Sequence, residues 1–263
     1  NRSEYLEDSY VKTLRSKEII MSYPLLEIFS KFSILPLLTI LLLYLPLSLS
    51  CSDIERIDSE ETSSDSLIIL PAPELKSSFS VEEALQNRRS IRRFKDEQLD
   101  LKTVSQILWS AQGITLPERG YRTAPSAGAA FPLETYIAVN NIEGLQPGLY
   151  QFIPDSNTLG EVFVSDIRND LSNAAMRQTS VRDGAFVVVL AAVYERITGR
   201  YGERGIKYTH MEVGHVGQNI HLQAESLGLG TVVIGAFNDD QVQDLLRLPE
   251  DVVPLYLMPI GQK

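Results

Sequence analysis

Four arginines lie within six positions of one another in "RRSIRRF", residues 88–94. They are Arg88, Arg89, Arg92 and Arg93. Guanidinium groups match the oxygens of phosphate in a bidentate geometry. Asp96 and Glu97 are the only carboxylates within a few positions, and they cannot balance four positive charges. The segment is therefore a candidate anion-binding site, and a solvated basic face is the alternative.

The composition limits which anion this could be. The chain has 34 Asp and Glu residues against 24 Lys and Arg residues, so its formal net charge is -10. An acidic protein repels a polyphosphate backbone at long range, so we do not expect nucleic-acid binding. Cys51 is the single cysteine of the sequence, which excludes an intrachain disulfide and a cysteine-rich metal site.

A second candidate segment is "RTAPSAGAAFPLETY", residues 122–136. Its small residues Ser126, Ala127 and Gly128 would let the backbone approach a planar ligand closely, which bulky side chains would prevent. An ordinary turn between two prolines is the alternative.

Other catalytic patterns are missing from the sequence. His210, His215 and His221 are five and six residues apart, so they do not share one helix face, and no HExxH motif is present. The sequence has no G-x-S-x-G and no G-x-G-x-x-G after a strand. We therefore expect no metal site, no serine triad and no Rossmann dinucleotide site.

Helix signals occur along the second half of the chain. Ser80 and Glu83 form a capping box, and so do Thr209 and Glu212, so each pair predicts the start of a helix. Asp100 predicts the cap of another helix that ends at Gly113. Further helices are expected over residues 166–178 and 239–246.

Five segments predict strands from their β-branched, aromatic or continuous apolar residues. They are residues 135–140, 148–154, 184–194, 231–237 and 252–261. The run "GAFVVVLAAVY" at 184–194 is typical of a strand that is buried on both faces. Helices and strands do not alternate regularly, so we expect an α+β domain with a mixed sheet.

The N-terminal part carries a different pattern. No residue between Lys31 and Asp53 is charged, which predicts a signal, lipoprotein or membrane-anchor segment over residues 21–51. We expect residues 1–20 to lie upstream of the start at Met21. Cys51 follows "LSLS" and is a candidate lipidation site; an uncleaved anchor and an ordinary Ser-x-Ser cleavage site are the alternatives.

Beyond this segment, acidic, Ser-rich composition predicts a flexible linker over residues 52–74 and a folded domain over 75–263. Basic residues precede the apolar run and mainly acidic ones follow it, so the domain is expected outside the cytoplasm, anchored to the membrane.

Four blocks in order carry a family resemblance: "RRSIRRF", "RTAPSAGAAFPLETYIAV", "RYGERGIKYTHMEVGHVGQNIHLQAESLGLGTVVIGAFNDDQV" and "PLYLMPIG". Together they resemble the FMN-dependent nitroreductase superfamily and are most similar to its thiazoline/oxazoline dehydrogenase branch. The resemblance implies a nitroreductase-like α+β fold with a mixed, mainly antiparallel sheet flanked by helices. It also implies a homodimer with two FMN sites at the interface, so that each chain supplies half of each site.

The same resemblance implies the binding residues. Arg88, Arg89, Ser90 and Arg92 would contact the flavin near its phosphate and its N1/O2 edge. Pro125, Ser126, Ala127 and Gly128 would line the flavin of the partner subunit. Gly235 and Ala236 would lie on the other side of the ring.

One position departs from the branch. Azoline dehydrogenases carry a Lys-Tyr pair that acts in proton transfer, and Arg200-Tyr201 stand at the matching place. Arginine stays protonated, so Arg200 cannot be a general base. Tyr201 would be at most an acid or a substrate contact.

This departure favours a general reductase. We expect ping-pong hydride transfer from NAD(P)H through FMN to a small-molecule acceptor such as a nitro compound or a quinone. A dehydrogenase of a peptide azoline or small heterocycle is one alternative, and a non-catalytic flavin-binding surface lipoprotein is another.

Overall fold

The computed structural model describes residues 67–263. The expectations for residues 1–66, including the anchor segment and lipidation of Cys51, lie outside the described residues. Among the helices of residues 67–263, none combines the length and the apolar content that crossing a bilayer requires.

A seven-stranded sheet in the order β1-β6-β5-β4-β7-β9-β8 forms the centre of the domain, and a separate hairpin joins β2 to β3. Every neighbouring pair in the large sheet is antiparallel. The strands are β1 Leu67–Ile69, β2 Ile114–Leu116, β3 Tyr121–Arg122, β4 Leu133–Val139, β5 Gly148–Ile153, β6 Thr158–Val164, β7 Phe186–Val193, β8 Leu229–Thr231 and β9 Val252–Gln262. The expected α+β class with a mainly antiparallel sheet is confirmed.

Helices cover both faces of this sheet. They are α1 Val81–Asn87, α2 Leu101–Gln112, α3 Arg168–Ala174, α4 Thr179–Asp183, α5 Glu195–Tyr201, α6 Arg204–Ser226 and α7 Asp239–Leu245. The longest is α6, with 23 residues, and it packs against α2. Since α6 also contacts α1, α5, β8 and β9, it borders most of the predicted site segments.

The central strand β7 is buried along its whole length. Val188 and Leu190 face the core cluster that holds the apolar residues of α2 and α6, whereas Val187 and Val189 face the cluster of α3, α4 and α7. Side chains alternate between the faces of a strand, so a continuous apolar run satisfies two cores at once. The predicted double burial is confirmed.

Local signals explain where several helices begin. The Ser80–Glu83 capping box is formed at the start of α1, and Asp100 Oδ1 accepts from the Thr103 backbone N–H at 2.8 Å at the start of α2. At the start of α7, Asn238 Oδ1 accepts from the Gln241 backbone N–H at 2.9 Å. These side chains satisfy backbone donors that lack a partner within the helix.

Two helix predictions were wrong. The helix expected over 166–178 forms only as α3, which ends at Ala174, because Met176 and Arg177 adopt positive φ angles of 56° and 60°; α4 begins at Thr179, after the predicted end. The Thr209–Glu212 motif does not begin a helix. Since α6 starts at Arg204, Thr209 lies inside it and donates to the Gly205 carbonyl at 3.1 Å.

The strand predictions also differ in part from the structure. Residues 231–237 were expected to form one strand, but β8 ends at Thr231, and residues 232–237 contain a single bridge, from Ile234 to Leu257. Strand β6 was not anticipated. Its partner β1 lies within the segment that the sequence assigns to the linker, so residues 67–69 belong to the sheet.

Candidate active site

The arginine segment follows the end of α1 and runs along the β8–β9 edge of the sheet. Ser90 forms a parallel bridge with Thr231, and the Ile91 backbone N–H donates to the Thr231 carbonyl at 2.9 Å. Farther along, the Lys95 N–H donates to the Gln262 carbonyl at 2.9 Å. Backbone hydrogen bonds at both ends therefore fix the segment that carries Arg92 and Arg93.

Two glycines let this segment lie close to the sheet. A Cβ atom at Gly230 would lie 2.6 Å from Ile91 Cγ2, and one at Gly261 would lie 2.7 Å from Phe94 Cγ. Separations this short do not occur between non-bonded carbon atoms, so larger residues would push the segment away. Ile91 and Phe94 thus anchor the segment, while the arginines between them are exposed.

None of the four arginines forms an ion pair within residues 67–263. Arg88 is half-buried, whereas Arg92 and Arg93 are exposed. The Arg89 side chain folds back against the C-terminal end of α1. Its Nη1 donates to the backbone carbonyl of Gln86 at 2.9 Å and to that of Arg88 at 2.8 Å. Three guanidinium groups therefore keep most of their donors available for an anion.

The second predicted segment, Pro125–Gly128, forms a tight loop before β4. The Phe131 backbone N–H donates to Ser126 Oγ at 2.9 Å. Gly128 has φ of +62°, a left-handed conformation that glycine adopts without steric cost. The loop is therefore stabilised by its own small residues.

The structure brings this loop together with Arg200 and Tyr201. Arg200 Nη1 donates to the Gly128 carbonyl at 3.2 Å. A Cβ atom at Gly128 would lie 2.6 Å from Tyr201 Oη and 2.7 Å from Arg200 Nη1. The absence of a side chain at Gly128 therefore allows the Arg200 and Tyr201 side chains to contact the loop.

The remaining predicted residues, Gly235 and Ala236, lie elsewhere, in an exposed loop after β8. The Ala236 carbonyl accepts from Gln178 Nε2 at 3.0 Å, and Gly235 lies over the Tyr256 ring. No hydrogen bond among residues 67–263 joins this loop to the arginines or to Gly128.

Glu212 is a feature of the site that sequence reasoning missed. It lies on α6 with 2% of its surface exposed, and neither carboxylate oxygen has a hydrogen-bond partner of acceptable geometry among residues 67–263. Burial raises the pKa of Glu212 to about 7; the nearby Ser126 hydroxyl and Arg122 lower this pKa to a smaller extent. An ionisable carboxyl therefore lies beneath the Pro125–Gly128 loop.

The spacing of Glu212 could have revealed its burial. Val216 and Ile220 follow it at intervals of four residues, and both are buried on the core-facing side of α6. The capping-box interpretation placed Glu212 in a first turn, where an acidic residue is exposed and ordinary. Because Thr209 lies inside α6 and not at its start, the four-residue spacing of Glu212 from Val216, and of Val216 from Ile220, predicts that the Glu212 carboxyl is buried.

Arg122 belongs to the same buried group. Its Nη1 donates to Gln112 Oε1 at 3.0 Å, and its guanidinium carbon lies 4.4 Å from the centroid of the Phe131 ring. Burial lowers the pKa of Arg122, while the acidic residues around it, including Glu212, raise it. We call Gln112, Arg122 and Glu212 the buried polar group.

The buried polar group and the arginine segment contact different parts of α6. Arg88 lies near His221, whose pKa is lowered by burial and by the charge of Arg88. Glu212 is nine residues before His221, which corresponds to roughly 13 Å along the helix axis at 1.5 Å per residue. One protomer thus presents its arginines and its small-residue loop at separate places on its surface.

Two further features of residues 67–263 bear on the chemistry. These residues contain no group of three or more His, Cys, Asp or Glu side chains that could hold a metal ion. A cleft of about 460 Å³ opens between α1, α2 and the C-terminal part of α6, and Gln106, Trp109 and Asn219 are among its lining residues. It contains none of the predicted site residues.

Comparison with known proteins identifies the fold. The family model described as the Nitroreductase family matches residues 85–262. The chain belongs to the nitroreductase family. A Ralstonia eutropha protein named as a nitroreductase has a crystal structure that superposes with a TM-score of 0.65 and 29% identity, covering 76% of this chain and 90% of that one.

Three relatives of this chain differ in their names and in the share of their length that is covered. A Methanocaldococcus jannaschii protein named as a nitroreductase is 44% identical over 185 residues, 70% of this chain and 92% of that protein. The microcin B17-processing protein McbC of Escherichia coli is 28% identical over 170 residues, 62% of each chain. An FMN reductase (NADPH) of Bacillus subtilis is 25% identical over 193 residues, 68% of this chain and 64% of that protein. This chain thus spans less than two thirds of McbC and of the FMN reductase.

Proposed function

We propose that this nitroreductase-family chain is an FMN-dependent oxidoreductase that transfers reducing equivalents from NAD(P)H to an organic acceptor, such as a nitro compound or a quinone, in ping-pong order. Family membership and the similarity to an NADPH-dependent FMN reductase support the enzyme class and the cofactor. The observation that carries the proposal is the arginine segment, whose guanidinium groups have no carboxylate partner within residues 67–263.

The residues present fit FMN. An acidic chain that keeps Arg88 and Arg92 without ion-pair partners within residues 67–263, on a segment fixed to the sheet edge, is suited to a phosphate group, which guanidinium donors bind in a bidentate geometry. Ser90 lies on the same backbone segment, so its hydroxyl is available as a further donor. Arg89, which is bonded to its own helix end, would contribute mainly its charge.

Bound FMN would supply the hydride chemistry itself, so no side chain has to act as a nucleophile. The task of this chain is to bind, orient and tune. A guanidinium group held near the flavin would stabilise negative charge on the reduced ring. The Pro125–Gly128 loop would let the ring approach the backbone closely, because its side chains are small.

We further propose that two chains pair to complete each site. The exposed face of α6 supports this pairing, because Lys207, Met211, Gly214 and Gln218 recur along it at intervals of three or four residues. A Cβ atom at Gly214 would have no neighbour within 4 Å in this protomer, so a second helix could approach there. The loop of one chain would then meet the arginine segment of the other.

An absorption spectrum of the purified protein, followed by stopped-flow reduction with NADH and with NADPH, tests this proposal. We expect a yellow protein with flavin bands that bleach on addition of reductant and recover when a nitro compound or quinone is added. Colourless protein that gains no thermal stability from added FMN would instead favour a non-catalytic scaffold.

Similarity to McbC favours a second candidate, a dehydrogenase that acts on a peptide azoline or a small heterocycle. Against it stands Arg200 beside Gly128, since arginine cannot accept a proton as a base. Arg200→Lys tests this candidate: a gain of turnover with an azoline peptide would support it, and no gain would count against it.

A further inference from the structure

A row of two guanidinium groups and two phenol rings borders the Gly128 loop. The guanidinium carbon of Arg200, which binds the Gly128 carbonyl, lies 5.3 Å from the Tyr201 ring centroid. The rings of Tyr201 and Tyr208 meet edge to face, with centroids 5.3 Å apart and an interplanar angle of 86°. Arg204 completes the row, because its Nε donates to Tyr208 Oη at 2.8 Å. We call these four residues the Arg–Tyr row.

The charges of this row are not neutralised by the protein. Within residues 67–263 neither Arg200 nor Arg204 forms an ion pair, whereas their neighbour Arg196 pairs with Glu134. Both arginines are exposed, and their tyrosine partners are half-buried. Lys207 adds a further positive charge, while the acidic residues nearby are Glu195 on α5 and Glu203, which directly precedes α6.

Both guanidinium groups are held in place before any ligand arrives. Each has five N–H donors, and the hydrogen bonds described here use one nitrogen of each. The guanidinium carbon of Arg204 lies 5.6 Å from the Tyr208 ring centroid, a separation at which a cation is attracted by the ring face. A guanidinium group that is already ordered loses less side-chain freedom when it binds an anion.

We propose that the Arg–Tyr row selects substrates that combine a planar aromatic ring with an anionic group. The ring would pack against Tyr201 and Tyr208, and a carboxylate or phosphate would take the free donors of Arg200 and Arg204. This inference rests on the proposed function, because the row borders the loop that is expected to line the flavin. The anion can come from two sources, the acceptor or the 2′-phosphate of NADPH.

The test compares matched substrates with the FMN-loaded full-length protein. The value of kcat/KM is measured for 4-nitrobenzoate and for nitrobenzene, and separately for NADPH and NADH, in the wild type, Arg200→Gln and Arg204→Gln. We expect kcat/KM for 4-nitrobenzoate, divided by kcat/KM for nitrobenzene, to fall about tenfold in each variant. A charge-assisted hydrogen bond contributes at least about tenfold in affinity. Arg247→Gln is the control, because Arg247 also lies over an aromatic ring, Phe163, but outside the row.

A binding measurement keeps the inference separate from turnover. Titration with 4-aminobenzoate, which the flavin cannot reduce as a nitro compound, should show about tenfold weaker binding in Arg200→Gln than in Arg247→Gln, and aniline should show no such difference. If neither acceptor is reduced by any variant, the proposed function fails, and this titration still tests the row.

The outcomes are distinct. If only the ratio of kcat/KM for NADPH to kcat/KM for NADH falls, the result supports anion binding by the Arg–Tyr row and identifies the anion as the 2′-phosphate of NADPH. The inference would be overturned if both ratios of kcat/KM stayed unchanged and all variants bound 4-aminobenzoate equally. The proposed function would remain intact in that case.

Discussion

The arginine segment and the buried polar group carry the same guanidinium chemistry in opposite surroundings. Arg92 and Arg93 are exposed and have no ion-pair partner within residues 67–263, while their backbone is fixed to the sheet edge. Arg122 is half-buried against Phe131 and is hydrogen-bonded to Gln112. The first arrangement leaves exposed donors free for a ligand, whereas the second encloses its guanidinium within the protein, where Nη1 donates to Gln112 and the buried Nε has no hydrogen-bond partner among residues 67–263.

The two regions are therefore expected to contribute to different properties, the arginine segment to ligand affinity and the buried polar group to the stability of the fold. An exposed guanidinium that meets a phosphate contributes affinity when it binds, and its removal costs the free protein little. A buried charge costs free energy at all times unless its partners compensate for it. We therefore expect changes in the arginine segment to alter ligand affinity, and changes in the buried polar group to alter stability and its pH dependence.

The largest effect is expected at Glu212. An acid whose pKa is about 7 in the folded protein, against an ordinary value of 4.5, binds more protons folded than unfolded between these values. Stability from this group is complete below about pH 4.5 and is lost as pH rises through 7. The loss amounts to about 3 kcal/mol, at 1.36 kcal/mol per unit of pKa.

Chemical denaturation of the apoprotein at pH 5 and pH 8 measures this loss. Glu212→Gln should remove about 2.5 kcal/mol of the decrease in unfolding free energy that the wild type shows between the two pH values, because part of the total loss has already occurred at pH 5. Glu118→Gln, which changes an exposed carboxyl, should keep the wild-type dependence. Equal pH dependence in wild type and Glu212→Gln would show that Glu212 is solvated or paired.

The next effect concerns the exposed region. Arg88→Ala should weaken FMN binding by about tenfold to a hundredfold, because a charge-assisted hydrogen bond contributes about 1.5–3 kcal/mol. Fluorescence titration of the apoprotein with FMN measures this change. Arg93→Ala removes the same charge from the end of the segment and should change the affinity by less than about threefold; equal losses would mean that both side chains reach the phosphate.

Much of the fold could be predicted because its signals are local. The capping residues Ser80 and Asp100 and the continuous apolar run of β7 act within a few positions of themselves. The start of α6 could not be read in this way, because Thr209 and Glu212 imitate a capping box inside a helix. Strand β6 was missed because the partly exposed, glycine-containing "TLGEVFV" has no clear apolar periodicity, and its pairing with β1 is non-local.

The site shows the same division. Arg88–Arg93 and Pro125–Gly128 are contiguous segments, so their composition is visible in the sequence. The contact between Gly128 and Arg200 joins residues 72 positions apart, and the burial of Glu212 depends on which face of α6 packs inward. Such features follow from tertiary packing, which a single sequence leaves open.

The smallest effect sharpens the claim that the sheet edge holds the arginine segment. Gly230→Ala would place a Cβ atom 2.8 Å from Ile91 Cβ, an atom next to the backbone that cannot rotate away. We expect the segment to shift, at a cost of about 1–2 kcal/mol in unfolding free energy. FMN affinity should fall a few-fold, less than in Arg88→Ala, because the guanidinium groups are displaced but still present.

Gly214→Ala is the companion change that tests the proposed pairing of chains, since its added Cβ atom meets nothing within 4 Å in the protomer. In an isolated protomer it should raise stability by up to about 1 kcal/mol through helix propensity alone. If α6 helices pair at this face, the added methyl group would weaken the dimer instead, and size-exclusion chromatography would detect the monomer.

A loss of FMN affinity in Gly230→Ala without any change in oligomeric state would then assign the effect to the sheet edge. An unchanged affinity would show that the arginines are positioned by something other than this edge.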